Sequence, residues 1–428
     1  MKRLCIPICW LACCFSASAQ SGLPRQVLQL AELKRAIEAD LAALTNYTCI
    51  ETVERSRRKN AKQPFRYVDT VRVEVAVTKD DELYSWPGAH HFEERSITDM
   101  VGAGTIASGS FATEIRSVFL DNTSIIAWHG EEDMFGRPAL RWDYRIPYNL
   151  SGWTLQYAGH TGRVSASGAF WIDAASMELL RLETNADEIP PDVPIAAVKS
   201  TLDYGRVRIG SRTLLLPQRA SLELAELTGQ QSLNRIEFTH CREFTVQSAL
   251  ISELSPESGP AVAPVAELTL PVGLRLFVRL AHSIDSEQAV VGDALSAIVE
   301  SSAGHKGTMV PKGAVLRGRI RRLERYSIPT GHYIVGLEFT ELEFPGHQAR
   351  FFGEMDYVDP VPGLKWFVTT SRMKTLELAD GGRITSSESE KYWTVQMPGA
   401  STFFVEGSKF RLPEGLHMTW RALKLAAK

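Results

Sequence analysis

The sequence lacks the motifs that identify common enzymes and cofactor-binding proteins. It contains no Gly-x-Ser-x-Gly motif, no phosphate-binding loop and no dinucleotide fingerprint. Ser371 and Lys374 fit the Ser-x-x-Lys spacing, but the Lys-Thr-Gly motif that accompanies it in penicillin-binding proteins is absent. The ten histidines are scattered, and the adjacent pair His90 and His91 would point to opposite faces of a strand. We therefore expect no catalytic residue, no cofactor and no metal site, and a binding protein in preference to an enzyme.

Neither positive nor negative side chains are in clear excess. Lys and Arg together number 47 and Asp and Glu 50, which gives a formal net charge of -3. Such a balance excludes the strongly basic surface of a typical nucleic-acid-binding protein, so no nucleic-acid partner is expected.

The first residues have the pattern of a secretory signal peptide. Lys2 and Arg3 precede an apolar run over residues 4–15, and Ser16 to Ala19 offer small residues for cleavage. We interpret residues 1–19 as a signal peptide and expect an exported protein, periplasmic or associated with the outer membrane. No later apolar run is long enough to span a membrane as a helix. A lipoprotein anchored through Cys13 or Cys14 is the alternative, although Leu11 and Ala12 fit a lipobox poorly.

Cysteine is scarce outside the predicted signal peptide. Four of the six cysteines lie within it, which leaves Cys49 and Cys241 in the exported chain. Because the extracytoplasmic compartment is oxidising, we predict a disulfide between them; two separately buried thiols are the alternative.

The remaining pattern predicts two domains of the α+β class, mainly antiparallel β. Apolar residues at spacings of three and four predict a helix over residues 26–44, and short alternating runs follow it. Residues 251–267 contain three prolines and neither Lys nor Arg, as in a linker. We therefore predict a curled sheet, or half-barrel, with one or two packed helices over residues 20–250, and an all-β barrel or sandwich over residues 268–428.

A glycine-rich stretch at residues 100–110 precedes a predicted helix over residues 111–120, with Ser110 as its N-cap. This combination suits a mobile lid over a groove, although an irregular loop at a sheet edge fits the pattern as well. Tryptophans concentrate in the same half of the chain and could line an apolar cavity or fill the core. The candidate groove and lid residues are Trp86, Phe111, Ile115, Phe119, Trp128 and Trp142.

Arginines alternate along a predicted strand in the second half. Arg317, Arg319 and Arg321 should share one face, where they could meet an anionic partner. The alternative is a solvated exterior whose charge is balanced by the acidic residues of the next strand, Glu338, Glu341 and Glu343.

The second half resembles the β-barrel domain of TrbI-type proteins of conjugation and type IV secretion machines. The resemblance depends on Val291-Gly292-Asp293, on the run from Met309 to Gly318, on Leu337-Glu338-Phe339, and on Phe344-Pro345-Gly346. It implies a β-barrel fold. The transmembrane helix and the pore-forming insertion of those machines have no counterpart here, so their secretion function is not implied.

The first half is similar in layout to the periplasmic half-barrels LolA and RseB, with an N-terminal helix, a strand meander and an inserted helix. This resemblance implies a curved sheet that holds a lipid or another apolar ligand. We therefore expect a non-catalytic binding or assembly protein of the bacterial cell envelope, with an apolar ligand or an envelope protein as its partner. A secreted hydrolase with a site assembled from distant residues, and a purely structural envelope component, are the alternatives.

Overall fold

The computed structural model describes residues 23–43, 47–78, 82–89, 92, 97–101, 104–107, 113–157, 159–243, 266–327, 331–368, 397 and 399–424. Strands dominate it. The predicted signal peptide, Phe111, most of the predicted linker, His90, His91 and the Ser371–Lys374 motif lie outside these residues.

Three helices occur in the described chain: α1 (Arg25–Ala43), α2 (Ile97–Val101) and α3 (Thr113–Phe119). α1 confirms the helix predicted from apolar spacing. Its buried positions Leu33, Ile37 and Leu41 recur every four residues, so they lie on one face of the helix. The inserted helix is also present, as α3.

The first sheet has ten antiparallel strands. They are β1 (Tyr47–Arg58), β2 (Arg66–Val77), β3 (Glu82–Ser85), β4 (Ile125–Met134), β5 (Arg137–Ile146), β8 (Ser165–Asp173), β9 (Leu179–Asp187), β10 (Ile195–Ile209), β11 (Arg212–Glu226) and β12 (Gln231–Glu243). A separate hairpin, β6 (Thr154–Tyr157) and β7 (His160–Arg163), lies between β5 and β8 in sequence. The strand order is β3-β2-β1-β12-β11-β10-β9-β8-β5-β4, so the first strands pair with the last.

Alternation along these strands separates an inner from an outer face. On β2, Val71, Val73, Val75 and Val77 are fully buried, as their period of two predicts. α1 and α3 pack on the inner face of the other half of the sheet, in one apolar cluster with Trp142, Phe170 and Leu202. Because these three residues come from different strands, the sheet curls around the helices as a half-barrel.

The second sheet also has ten strands. They are β13 (Ala266–Glu267), β14 (Arg275–Leu280), β16 (Ala294–Val299), β19 (Val315–Tyr326), β20 (His332–Phe344), β21 (His347–Arg350), β22 (Gly353–Val358), β23 (Leu364–Val368), β24 (Ala400–Glu406) and β26 (His417–Ala422). The main path is β13-β21-β20-β19-β16-β14-β26-β22, and β24 joins β20 to β23. Two small ladders complete it, β15 (Ile284–Asp285) with β25 (Arg411–Leu412) and β17 (Ala303–His305) with β18 (Thr308–Val310).

The second sheet closes around an aromatic core. Trp420 on β26 packs edge-on against Phe339 on β20, with 4.9 Å between ring centroids, although three strands separate β20 from β26 in the sheet order. The sheet must therefore curl until distant strands face each other. A curled sheet with helices, followed by an all-β unit, confirms the predicted α+β class.

The two sheets contact each other directly. The Val291 N–H donates to the Thr70 carbonyl oxygen (2.9 Å), and the Arg72 N–H donates to the Val291 carbonyl oxygen (2.8 Å). Val291 thus pairs with β2 just beyond the part of that strand that β3 covers. A Cβ at Gly292 would lie 2.2 Å from the Arg72 carbonyl oxygen, so only glycine permits this approach.

Candidate functional site

A row of apolar side chains crosses the inner face of the first sheet. Each member is the register partner of the next, over nine adjacent strands from β2 to β4. The row consists of Val71, Val53, Ile236, Ala220, Leu202, Leu182, Phe170, Trp142 and Trp128. The aromatic end is stacked, since Trp142 lies parallel to Phe170 (5.5 Å between centroids) and edge-on to Trp128 (4.8 Å). We call this set the apolar row.

A more polar row runs beside it on eight of these strands, and each of its members is two residues away from the apolar member of the same strand. Its members are Asp69, Arg55, Asn234, Leu222, Ser200, Thr184, Gly168 and Tyr144. At one end Arg55 and Asp69 form a buried two-point ion pair, with N–O distances of 2.7 and 2.6 Å. At the other end the Tyr144 hydroxyl contacts the Thr184 hydroxyl (2.6 Å). The inner face therefore offers an apolar strip with a polar strip alongside, which we call the polar row.

The segment from α2 to α3 covers the polar row. The Asn234 side-chain amide donates to the Thr105 carbonyl oxygen (2.7 Å), and the Ser200 hydroxyl donates to Glu114 Oε1 (3.0 Å). Gly104 approaches the Arg55 guanidinium so closely that a Cβ would lie 2.5 Å from it. We call the described parts of residues 97–119 the cover.

The apolar side of the cover packs on the apolar row. Ile115, Val118 and Phe119 of α3 are buried, and the Phe119 ring meets Phe170 edge-on at 4.8 Å. α1 adds Leu33, Ile37 and Leu41 to the same cluster. In this conformation the groove is filled by the protein's own side chains.

Two carboxyl groups in the first half of the chain are buried. Glu51 on β1 is 2% exposed and Glu114 on α3 is 8% exposed. Burial, with a smaller contribution from the charge of Glu82, raises the pKa of each to about 8. Glu114 Oε2 has no hydrogen-bond partner among the described residues. Both carboxyls are therefore protonated at neutral pH in this conformation.

Tyrosines surround these carboxyls. Burial raises the pKa of Tyr204 far above its usual range, and the nearby charge of Glu114 raises it further. Burial, followed by the charge of Glu82, does the same to the pKa of Tyr47. Glu82 thus lies within electrostatic reach of Glu51, Glu114 and both tyrosines. We call Glu51, Glu82, Glu114, Tyr47 and Tyr204 the acidic cluster.

Four of the six predicted groove residues come together here. Trp128 and Trp142 belong to the apolar row, and Ile115 and Phe119 belong to the cover. Trp86 lies elsewhere, at the contact between the sheets, where the Arg321 guanidinium stands over its ring at 5.2 Å. The sixth residue, Phe111, is not among the described residues.

The three predicted stripe arginines share a strand but not an environment. Arg317 is exposed and pairs with Glu343 (2.6 Å). Arg319 donates to the Pro87 carbonyl oxygen (3.0 Å), and burial lowers its pKa. Arg321 is buried, pairs with Glu338 and donates to the Met100 carbonyl oxygen (2.8 Å). They do not form one exposed stripe, because the first sheet packs over two of them.

Cys49 and Cys241 form a disulfide that joins β1 to β12, across 192 residues of sequence. Within the described part of the chain, no three His, Cys, Asp or Glu side chains converge as metal ligands. None of the described helices has the length and apolar character needed to cross a membrane.

Sequence reasoning missed the acidic cluster and the polar row. One signal was available, because Glu51 alternates with Tyr47, Cys49 and Val53 on β1 and so had to point inward with them. An inward carboxyl on a strand is a candidate for a functional site.

A scan against protein-family models found no match, and a search of curated proteins found none either. Among solved structures, a putative outer membrane lipoprotein-sorting protein domain from Vibrio parahaemolyticus is similar over 50% of this chain and 92% of its own, at 15% identity and a TM-score of 0.28. A DUF1329 family protein from Desulfovibrio piger is similar over 54% and 99%, at 13% identity and a TM-score of 0.29. A LolA superfamily protein from Nitrosomonas europaea is similar over 52% and 96%, at 8% identity and a TM-score of 0.26.

Proposed function

We propose that this chain is an exported, non-catalytic binding protein of the bacterial cell envelope, and that it holds an apolar ligand between the inner face of the first sheet and the cover. The observation that supports this most directly is the apolar row. It provides a continuous strip across nine strands, and apolar ligand sites are typically lined in this way with a few polar groups beside them.

The cover has the contacts expected of a removable element. Its described hydrogen bonds to the first sheet include those at Thr105 and Glu114, and glycine-containing chain precedes α3. Elements that open for ligands are drawn from the less stable parts of a fold. In the proposed mechanism α3 moves off Phe170, and the ligand takes the place of Ile115, Val118 and Phe119.

The exposed end of the apolar row gives the ligand a point of entry. Trp128 is 37% exposed and lies on β4, at the edge of the sheet, while its neighbour Trp142 is buried. An apolar ligand arriving at Trp128 can therefore pass along stacked aromatic rings toward Phe170. The resemblance of the second half to TrbI-type barrels, and an envelope protein that docks there, remain predictions.

The hydrolase alternative would require a histidine that activates a serine nucleophile, and the two described His–Asp pairs do not provide one. His129 pairs with Asp143 (2.7 Å) and His417 with Asp359 (3.0 Å), and no described serine hydroxyl bonds either histidine. Binding therefore explains more of the geometry than hydrolysis does.

The test is binding of the neutral dye Nile red, whose fluorescence rises in apolar surroundings. Ala220 stands in the middle of the apolar row and contacts both major apolar clusters. Ala220→Phe should weaken binding by about tenfold, because the added ring occupies the strip. Ala220→Leu provides a second variant with a smaller addition.

Ala197→Phe is the matched control, because Ala197 is exposed and points to the outer face of β10. Circular dichroism establishes that each variant is folded. Failure of the wild-type protein to bind Nile red would refute the proposal, and so would equal binding by folded Ala220→Phe and Ala197→Phe proteins.

A further inference from the structure

We propose that the tip of the hairpin joining β1 to β2 is a docking surface for an anionic lipid membrane. The tip comprises residues 57–66, and we call it the basic tip. It contains five cationic residues and no acidic one, namely Arg57, Arg58, Lys59, Lys62 and Arg66. The proposal goes beyond the proposed function and does not depend on it, because no residue of the basic tip belongs to the apolar row, the polar row or the cover.

The pairing of the hairpin brings these charges together. Arg57 on β1 and Arg66 on β2 are register partners, so two cations lie directly opposite each other. Like charges in this position destabilise a strand pair. The turn between the strands is ordered, since the Gln63 N–H donates to the Asn60 carbonyl oxygen (3.2 Å) and the Lys62 N–H donates to Asn60 Oδ1 (3.1 Å). The hairpin therefore holds a repulsive arrangement in place, and an anionic partner would relieve it.

No described carboxylate neutralises the basic tip. None of its five cations forms an ion pair with a described residue. The nearest acidic residues in sequence are engaged elsewhere, since Asp69 holds Arg55 and Glu54 pairs with Arg235 (3.3 Å). Exposed arginines on β5 and β14, by contrast, pair with carboxylates at 3.0–3.6 Å. The positive charge of the basic tip is thus available to a partner from outside the chain.

Aromatic side chains accompany the cations. The Arg58 guanidinium stands over the Phe65 ring, 4.2 Å from its centroid. Tyr67, directly after the basic tip, is 42% exposed. Aromatic rings suit the interfacial zone of a membrane, where an apolar body and a polar end are both accommodated, and neighbouring Lys and Arg are attracted to anionic lipid. The combination therefore favours a lipid partner.

The spread of the charges favours a surface over a single bound phosphate or carboxylate. Lys59, Lys62 and Arg66 are exposed, and none of these side chains forms a hydrogen bond to a described residue. Adjacent residues on a strand point to opposite faces, so Arg57 and Arg58 point away from each other. A membrane presents phosphates over its whole area and can meet cations that point in several directions.

The experiment measures binding to vesicles by co-sedimentation. One kind of vesicle contains phosphatidylglycerol and phosphatidylcholine in equal parts, and the other contains phosphatidylcholine alone. We expect the protein to bind only the anionic vesicles, and more weakly as the salt concentration rises, because salt screens exposed charges. Lys59→Gln, Lys62→Gln and Arg66→Gln together should weaken binding about a hundredfold, since each cation near an anionic surface contributes a factor of about five.

The matched control removes three charges from arginines that are exposed but ion-paired. It combines Arg137→Gln, Arg145→Gln and Arg275→Gln, whose side chains are 60–64% exposed. The net charge changes equally in the two triple variants, so the control separates the basic tip from the charge of the whole protein. We expect the control to bind anionic vesicles nearly as well as the wild-type protein. Circular dichroism establishes that both variants are folded.

Two further variants test charge and location. Lys59→Arg, Lys62→Arg and Arg66→Lys together keep all the cations and should bind anionic vesicles as the wild-type protein does. Ala220→Phe, which fills the proposed groove, should also bind them normally, because docking through the basic tip does not use the groove.

Several results would overturn the proposal. They are failure of the wild-type protein to bind anionic vesicles, equal binding to both kinds of vesicle, and equal loss of binding in the two glutamine variants. Loss of vesicle binding in Ala220→Phe alone would assign lipid contact to the groove instead. Binding of a fluorescein-labelled hexaglutamate peptide by a protein that does not bind anionic vesicles would assign the basic tip to an acidic protein partner.

Discussion

The stability of this protein should fall as the pH rises from about 5.5 to about 8, and Glu51 should be one cause. In the folded protein burial raises its pKa from 4.5 to about 8. A raised carboxyl pKa means that the folded state binds the proton more tightly than the unfolded state. The contribution to stability is therefore complete below pH 4.5 and is lost progressively as the pH rises toward 8.

The magnitude follows from linkage. Ionisation of this carboxyl favours the unfolded chain over the folded protein by roughly 1 kcal/mol at pH 5.5 and by roughly 4 kcal/mol at pH 8, so the change is about 3 kcal/mol. Glu51→Gln cannot ionise and should not show this loss. The difference in unfolding free energy between Glu51→Gln and wild-type protein should accordingly grow by about 3 kcal/mol in favour of the variant over that range.

The assay is urea denaturation at several pH values, followed by tryptophan fluorescence. Taking the difference between variant and wild type cancels the histidines and other groups that titrate in both proteins. Glu237→Gln is the control, since this exposed carboxyl on the outer face should give a difference that stays constant with pH. Parallel pH profiles for Glu51→Gln and wild type would show that Glu51 is not buried as described.

Three further predictions concern other parts of the structure. Replacing both Cys49 and Cys241 by Ala should lower the unfolding free energy by about 4–5 kcal/mol, because the disulfide closes a loop spanning 192 residues. A double variant as stable as the oxidised wild-type protein would contradict this. Asp69→Ala should destabilise by about 3–5 kcal/mol, because it removes the buried carboxylate that forms two bonds to the Arg55 guanidinium. Asp203→Ala, which breaks the partly exposed Arg181–Asp203 pair, should cost about 1 kcal/mol or less in the same denaturation assay. Arg321→Met should speed amide hydrogen exchange in residues 97–101 by about tenfold, as measured by mass spectrometry, because it removes the bond to the Met100 carbonyl oxygen. Arg317→Met, on the same strand but exposed, should leave that exchange unchanged, and equal exchange in both variants would refute the role of Arg321.

Local patterns predicted the elements of the fold well. The helix over residues 26–44 was predictable because burial on one face imposes a period on the sequence. It appears almost unchanged, as α1. The disulfide partners followed from scarcity, since an exported chain with two cysteines offers one pairing.

The candidate site was harder to predict from the sequence, because it depends on the register of many strands. Each member of the apolar row is set by a pairing with the next strand, and bulges such as that between Asp203 and Tyr204 shift those pairings. Periodicity shows that Glu51 points inward, but it cannot show that Glu114 of α3 bonds Ser200 on β10. The same limit explains Arg321. Its place on one face with Arg317 was predictable, but it contacts Trp86, which follows β3, and Met100 of α2, both distant in sequence.

The acidic cluster is difficult to explain as a contribution to folding. Glu51 and Glu114 each hold a proton at a pH where the unfolded chain would release it, so each lowers stability at neutral pH relative to glutamine. Departures of this kind from the most stable choice are expected mainly at functional sites. Greater stability of Glu51→Gln at pH 8 together with weaker binding of Nile red would show that this carboxyl serves ligand binding at the expense of the fold.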